Sequence, residues 1–169
     1  MLRDLEKKDA PLMLEWMHDE NVISGLQPEL FRTKTIEDCE KFILACQDKS
    51  KDCHMAIVDE NDEYLGTVSL KKIDFEYKDA EFAIVLRLSA QGKGYASKAI
   101  KEIMKIAFED YGLTEVYWNV LRNNYAAIKL YRSCGYNELE KVSKRRINRA
   151  PRKENGDIED ILFFHATMG

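Results

Sequence analysis

The sequence has few residues of the kinds that would support a disulfide framework or a metal centre. Its four cysteines are scattered, with no Cys-x-x-Cys pair and no histidine at ligand spacing: Cys39, Cys46, Cys53 and Cys134. Structural zinc sites and small disulfide-rich domains need paired or closely spaced ligands. We therefore expect reduced, partly buried thiols and no bound metal.

Long apolar runs are also lacking. The first nine residues, MLRDLEKKD, contain no apolar segment of the length found in signal peptides. No apolar run elsewhere is long enough to span a bilayer. The sequence therefore predicts a cytoplasmic protein that does not associate with membranes.

The chain has little net charge, which is -4 over 169 residues. That balance argues against a dedicated DNA- or RNA-binding protein, so no DNA partner is expected. Hydrophobic residues at 45% and charged residues at 33% are ordinary for a globular protein. Without repeats or a low-complexity linker, the length predicts one domain over residues 1–169.

The most informative stretch is a strand that enters a glycine loop, which in turn opens a helix. Residues 82–86 are an apolar run typical of a buried strand. From Ala96 to Tyr111 the apolar residues recur at helical spacing. The loop between them, QGKGYA at residues 91–96, can aim backbone N–H groups at one spot beside the positive end of the helix dipole. Such a loop is suited to binding an anion.

A second informative stretch begins at Asn123 and ends at the glycine–tyrosine pair 135–136. Asparagine is a favoured helix N-cap, and Gly135 ends the predicted helix. Asn124, Ala127, Ile128 and Tyr131 are spaced so that they lie on one face of this helix. An amide and a phenol therefore project along the same side.

The remaining segments predict a mixed α+β arrangement. We expect helices from about residue 10 to 17 and after Thr35, a hairpin formed by residues 53–58 and 64–70, and a strand at 116–120 parallel to the central one. The tail predicts two long strands, 136–142 and 157–167. We expect the basic segment 144–153 between them to be a solvated hairpin tip. The alternative is that this segment contacts an anionic acceptor.

The loop and the second stretch together resemble the GNAT N-acetyltransferases. Gln91, Gly94 and Ala96 match the family's Gln/Arg-x-x-Gly-x-Gly/Ala signature, whereas Walker and dinucleotide fingerprints do not fit. Asn124, Ala127 and Tyr131 match its Asn-x-x-Ala-x-x-x-Tyr arrangement. The resemblance implies a central mixed, mostly antiparallel sheet of about seven strands flanked by about four helices.

The resemblance also implies acetyl-CoA as the cosubstrate, with its pyrophosphate on the glycine loop. Its pantetheine arm would lie along a central strand that splays from its parallel neighbour. The residues implied to bind it are Ile84, Val85, Leu86, Gln91, Gly92, Lys93, Gly94, Tyr95, Ala96, Ser97, Asn119, Asn124 and Ala127.

Acetyl transfer to an amine needs a base for the amine and an acid for the departing thiolate. The resemblance implies Tyr131 as the acid and Glu81 as a base that acts through water, with Asp79 and Glu76 as competing carboxylates. Reference pKa values of about 10 for phenol and 8.5 for thiol would nearly balance the proton transfer. Cys134 has no histidine partner in the motif, so direct transfer is expected rather than a covalent acetyl-enzyme.

The acceptor stays open at this point. Residues 1 to about 80, where acceptor specificity resides, look most like the branch that includes ribosomal-protein N-terminal and amino-sugar acetyltransferases. A peptide α-amine, a polyamine, an aminoglycoside and an amino sugar all remain possible acceptors. A non-catalytic acyl-CoA-binding sensor or scaffold is the alternative, and a monomer or homodimer is expected.

Overall fold

Seven strands form one sheet in the computed structural model, which describes all 169 residues. The order across the sheet is β1-β2-β3-β4-β5-β7-β6. The strands are β1 Leu2–Asp4, β2 Cys53–Val58, β3 Tyr64–Asp74, β4 Asp79–Leu86, β5 Glu115–Leu121, β6 Asn137–Glu138 and β7 Ile161–Thr167. Every neighbouring pair is antiparallel except β4 and β5.

Six α-helices accompany the sheet, and four of them have eight or more residues. They are α1 Ala10–Met17, α2 Glu20–Ile23, α3 Ile36–Ala45, α4 Tyr95–Lys105, α5 Tyr125–Ser133 and α6 Lys144–Ile147. A π-helical turn, Ile106–Asp110, continues α4 towards Gly112. The predicted mixed sheet and four longer helices are confirmed, while α2 and α6 are single turns. No helix is both long enough and apolar enough to cross a membrane.

The two faces of the sheet are covered by different helices. Alternate residues of β4, including Ala80 and Phe82, pack with α4 in the larger core cluster. On the opposite face, Ala56 and Val58 of β2 pack with α1 and α3 in a second cluster. Because strand side chains alternate between faces, Glu81, Ala83 and Val85 of β4 lie on the α1/α3 face.

Arg87, the residue after β4, links the sheet to α1 by hydrogen bonds. Its guanidinium donates to Glu15 Oε2 at 2.6 Å, to Glu63 Oε1 at 2.8 Å and to the Tyr64 carbonyl at 3.0 Å. The two carboxylates raise the pKa of Arg87 against the effect of its burial. A charged side chain in such a site is tolerated because it is paired and hydrogen-bonded.

The hairpin before the glycine loop is longer than the sequence predicted. β4 begins at Asp79 rather than at residue 82, and β3 continues to Asp74. The Asp74 side chain accepts hydrogen bonds from the backbone N–H groups of Glu76 and Tyr77, both at 2.9 Å. These bonds close the turn between β3 and β4.

The predicted tail was wrong in three respects. β6 has two residues instead of seven, β7 begins at Ile161 instead of residue 157, and the basic segment contains α6, which Ser143 caps, instead of a solvated hairpin tip. Arg145 and Arg146 of α6 both donate to Asp79 Oδ2, the latter at 2.9 Å. These hydrogen bonds hold α6 over a buried carboxylate.

We predict that Asp79→Asn lowers the free energy of unfolding by about 3–5 kcal/mol, because removing one partner leaves buried charges uncompensated. Asp79 is 2% exposed and pairs with two arginines. Urea denaturation followed by circular dichroism measures the change.

Asp160→Asn is the matched control. Its pair with Arg122 at 2.9 Å is open to solvent, with the Asp160 side chain 72% exposed. We expect its loss to change stability by less than about 1 kcal/mol. Equal effects of the two substitutions would contradict a structural role for the Asp79 pairs.

Candidate active site

A gap opens in the middle of the sheet, between β4 and β5. The two strands pair only at Asp79 with Glu115, Ala80 with Val116 and Glu81 with Tyr117. Beyond Glu81, β4 stays paired to β3 as far as Leu86, and β5 stays paired to β7. The backbone of residues 82–86 therefore has no strand partner on its β5 side. The splay expected from the resemblance is confirmed as geometry, and Ile84, Val85 and Leu86 lie along it.

The glycine loop lies at the end of this gap and leads into α4. Gly92 and Gly94 have φ values of +72° and +85°, which side chains on L-residues rarely adopt. An added Cβ at either glycine would meet nothing within 4 Å. Gln91 closes the end of β4 by donating from Nε2 to the Leu86 carbonyl at 3.2 Å.

The N-terminus of α4 offers hydrogen-bond donors to a ligand. Gly94 is its N-cap and supplies no side-chain acceptor, and no acidic residue lies in the first turn. The first backbone N–H groups of a helix lack intrahelical partners, and those of Tyr95, Ala96 and Ser97 are therefore available to an anion. Lys93 is exposed beside them. These residues fit the predicted pyrophosphate site.

Tyr131 extends from α5 into the core beside the gap. Its ring centroid lies 5.2 Å from that of Trp118 and 5.5 Å from that of Phe164. The residue is 7% exposed, and burial raises the pKa of its phenol. The phenol is therefore held protonated by its surroundings.

Trp118 carries an unpaired donor in the same place. Its indole Nε1 is fully buried and has no hydrogen-bond partner in the chain. An unpaired buried N–H is costly, and such groups in native proteins call for an explanation. The rings of Phe82, Tyr131 and Phe164 pack around the indole, so Trp118 is part of the aromatic core beside β5. The sequence offered no signal for this position beyond an indole in the strand that follows the central helix.

The three other predicted binding residues lie along the same wall. The Asn124 side chain caps α5 by accepting from the Ala127 N–H at 3.3 Å. Its amide nitrogen lies near Gly25, where an added Cβ would be 3.3 Å away. Asn119 is half-buried on β5, opposite Phe163. The structure therefore places Asn119, Asn124 and Ala127 on the β5 and α5 side of the gap.

Glu81 is the last residue of β4 that still pairs with β5, so its carboxylate lies where the gap begins. Its Oε1 is 3.2 Å from Lys71 Nζ and its Oε2 is 2.9 Å from Lys72 Nζ. The lysine side chains are 36% and 40% exposed, whereas that of Glu81 is 10% exposed. The carboxylate thus already binds two alkylammonium groups that can move away into solvent.

The competing carboxylates are placed differently. Asp79 is engaged by Arg145 and Arg146, and Glu76 is exposed in the turn between β3 and β4. Arg146 also donates to Glu115 Oε1 at 2.8 Å and lowers the pKa of that carboxyl. Of the three candidates, Glu81 is the one that the structure brings to the gap.

Two polar residues that the sequence did not single out lie on the α1/α3 face, one and two strands away from β4. His54 of β2 pairs with Ser69 of β3, which pairs with Ala83 of β4. His54 Nδ1 and Ser69 Oγ are 2.6 Å apart. The alternation of side chains along β2 places His54 on the α1/α3 face, but the sequence did not indicate Ser69 as its hydrogen-bond partner.

The fold and the gap define a class of proteins that bind coenzyme A thioesters along a splayed strand. A family model for the acetyltransferase (GNAT) domain matches residues 1–137. The chain belongs to the GNAT acetyltransferase family, and it is an acetyl-CoA-dependent N-acetyltransferase. This assignment decides between the enzyme and the non-catalytic sensor that the sequence left open.

Two curated relatives are similar over most of the chain. A spermidine N(1)-acetyltransferase from Vibrio cholerae is 26% identical over 137 residues, which are 81% of this chain and 78% of the relative. The uncharacterized N-acetyltransferase p20 from Bacillus licheniformis is 26% identical over 167 residues, or 96% and 89% of the two chains.

Solved structures of the Vibrio cholerae spermidine N-acetyltransferase share the fold. One, in complex with CoA and spermine, has a TM-score of 0.80 and 22% identity and covers 99% of this chain and 94% of that one. Another, described as dodecameric, has a TM-score of 0.74 and 22% identity over 99% and 92%.

We predict that Gly94→Asp abolishes acetyl-CoA binding, because it places a negative charge where the loop N–H groups face the pyrophosphate. Gly94→Asn is the matched control, since asparagine tolerates positive φ better than most residues and carries no charge. Isothermal titration with acetyl-CoA should show a far larger loss for the aspartate variant. Equal affinities in the two variants would place the phosphates elsewhere, and circular dichroism verifies that both fold.

Proposed function

We propose that the acetyl acceptor is a primary amine of a linear polyamine or a similar small polycation. The observation that carries this proposal is the Glu81 carboxylate, which binds two alkylammonium groups at the start of the gap. A diamine presents the same chemistry on a free chain. The relatives named as spermidine acetyltransferases support the same class of acceptor.

On this proposal the acceptor would exchange for the lysines. Lys71 and Lys72 are partly exposed, so an incoming ammonium group could replace them without leaving the buried carboxylate unpaired. An acceptor ammonium held by Glu81 would leave the second amine of the same molecule at the level of Ala83. Ala83 is small and half-exposed, which leaves room beside the gap.

Acetyl-CoA fits the rest of the site. The N–H groups of the glycine loop and of the first turn of α4 would hold the pyrophosphate, and the free edge of residues 82–86 would hydrogen-bond the pantetheine and the thioester carbonyl. Coenzyme A supplies the activated acetyl group, and the chain orients it.

We further propose that Tyr131 protonates the departing thiolate, as the resemblance implied. Burial raises its pKa above that of an ordinary phenol, so donation to an exposed thiol sulfur would be less balanced than the reference values suggested. A thiolate enclosed in the same apolar wall would also have a raised pKa, because burial disfavours the charged form. Burial of both groups would therefore bring the pKa values of the phenol and the thiol close to each other again.

The proposed site residues all come from one chain, so they do not require a particular assembly. The sequence favoured a monomer or homodimer, and that expectation stays a prediction. One similar structure is described as dodecameric. Size-exclusion chromatography with light scattering measures the assembly directly.

We predict that Tyr131→Phe lowers kcat by about a hundredfold to ten-thousandfold, the usual worth of general acid catalysis. The KM for acetyl-CoA should change little, because the ring and its packing remain. Single-turnover measurements establish that chemistry limits the rate. A full kcat under that condition would reduce Tyr131 to a wall of the gap.

We predict that Glu81→Gln raises the KM for spermidine or spermine at least tenfold, with a smaller change for a monoamine such as n-butylamine. Only the polyamine has a second ammonium for the carboxylate to bind. Glu60→Gln, in the exposed turn after β2, is the matched control and should behave as the wild type.

If Glu81 is instead the base, as the sequence led us to expect, Glu81→Gln should give a different result. A base acting through water would leave both KM values unchanged, lower activity for both amines and raise the pH at which activity appears. Failure of every polyamine in the assay, with turnover of a peptide or amino sugar, would overturn the acceptor proposal.

A further inference from the structure

A row of side chains crosses the α1/α3 face of the sheet and leads from the gap to the outside. Ala83 lies at the gap, Ser69 is its partner on β3, and His54 is the partner of Ser69 on β2. Directly paired residues of antiparallel strands lie about 4.5–5.5 Å apart at their Cα atoms. Ser69 is therefore the first hydroxyl that a group beside Ala83 can reach, directly or across one water.

The hydrogen bond between Ser69 and His54 is short, and its participants are enclosed. Ser69 Oγ and His54 Nδ1 are 2.6 Å apart, and Ser69 is buried. Phe42 of α3 packs edge-on against the imidazole, with ring centroids 4.9 Å apart. The ring is thus fixed in the orientation that aims Nδ1 at the serine.

The far side of the imidazole opens into a cavity of about 310 Å³ between α3 and β2. This cavity is separate from the gap and reaches solvent at the C-terminal end of α3. Its lining includes Phe42, Cys46, Asp48, Lys51, Asp52 and His54. A proton on His54 therefore has a polar exit that does not pass back through the active site.

We propose that Ser69 and His54 form a relay that removes the proton from the acceptor amine. His54 acts through Ser69 and is therefore a positioning residue, whereas Ser69 faces the acceptor. The inference rests on the amine acetyltransferase activity and on the gap as its site, but not on the polyamine as acceptor. Glu81 is then not the base, since both its oxygens are already engaged by cations.

The proton balance of this step is complete. The acceptor ammonium gives one proton to Ser69 Oγ while the serine hydroxyl proton moves to His54 Nδ1, which leaves a free amine, a neutral serine and an imidazolium. The amine then forms the C–N bond to the thioester carbon, the C–S bond breaks, and the thiolate takes the proton of Tyr131. The acetylated nitrogen loses its second proton to water in the gap, and the Tyr131 phenolate regains a proton from the same water. Release of one proton from the imidazolium to water in the cavity restores a neutral ring.

The surroundings of His54 suit a neutral imidazole. Burial lowers its pKa below the ordinary value of about 6.5, and Lys71 acts in the same direction while Asp52 opposes it. Asp48 and Lys51 are the other charged groups in the cavity beside the ring. At neutral pH the ring is therefore free to accept a proton.

The test compares pH profiles of kcat/KM for the wild type, His54→Gln, Ser69→Ala and the double variant, with the fastest acceptor from a panel of spermidine, n-butylamine and a peptide. Each single variant should lose about a hundredfold or more near pH 7, the double variant should lose no more than either, and the losses should shrink as pH rises towards the pKa of the acceptor amine. His18→Gln, an exposed histidine, is the matched control.

A merely structural role would lower activity by the same factor at every pH, and unchanged kcat/KM in His54→Gln would also overturn the relay. Circular dichroism and acetyl-CoA affinity verify that each variant is folded and that its cosubstrate site is intact. Because the panel contains three kinds of amine, rejection of spermidine alone removes the polyamine proposal and leaves the relay test in place.

Discussion

The loss of pairing between β4 and β5 after Glu81 is the feature on which the site depends. A sheet that paired throughout would satisfy its own backbone groups and leave none for a ligand. Here the parallel pair holds for three residues and then parts, while β4 keeps its bonds to β3 and β5 keeps its bonds to β7. The unpaired edge is therefore rigid, which is what positioning a thioester requires.

The paired end of the same two strands has to resist that parting, and buried charges contribute to holding it. Asp79 and Glu115 face each other across β4 and β5, and Arg146 bonds both carboxylates, at 2.9 Å and 2.8 Å. The guanidinium thus spans the two strands at the first of their three residue pairs, two residues before the last pair. Arg146 also lies 4.2 Å above the Tyr117 ring, which covers it from solvent. The basic segment therefore holds β4 and β5 together at the end where the two strands still pair.

The elements with strong local signals could be predicted from the sequence, and those fixed by long-range pairing could not. Strand β2, the glycine loop and the capped helix α5 carry their periodicity and caps within a few residues. The placement of α6 instead involves Arg145 donating to Asp79, which lies 66 residues away. Likewise, the hydrogen bond from Ser69 to His54 depends on strand register, and register is not written in either strand alone. The sequence therefore indicated the cosubstrate side of the site far better than the acceptor side.

The sheet also separates the two proton transfers that acetylation needs. Tyr131 packs with Trp118 and Phe164 in the cluster on the α4 face, whereas Ser69 and His54 lie on the α1/α3 face. Tyr131 and Ser69 are both buried, whereas the imidazole of His54 borders the cavity beside α3. The gap opens to both faces of the sheet. An amine and a thioester that meet there would have a proton acceptor on the α1/α3 face and a proton donor on the α4 face. With the two groups apart, the base cannot be neutralised by the acid before the reactants arrive.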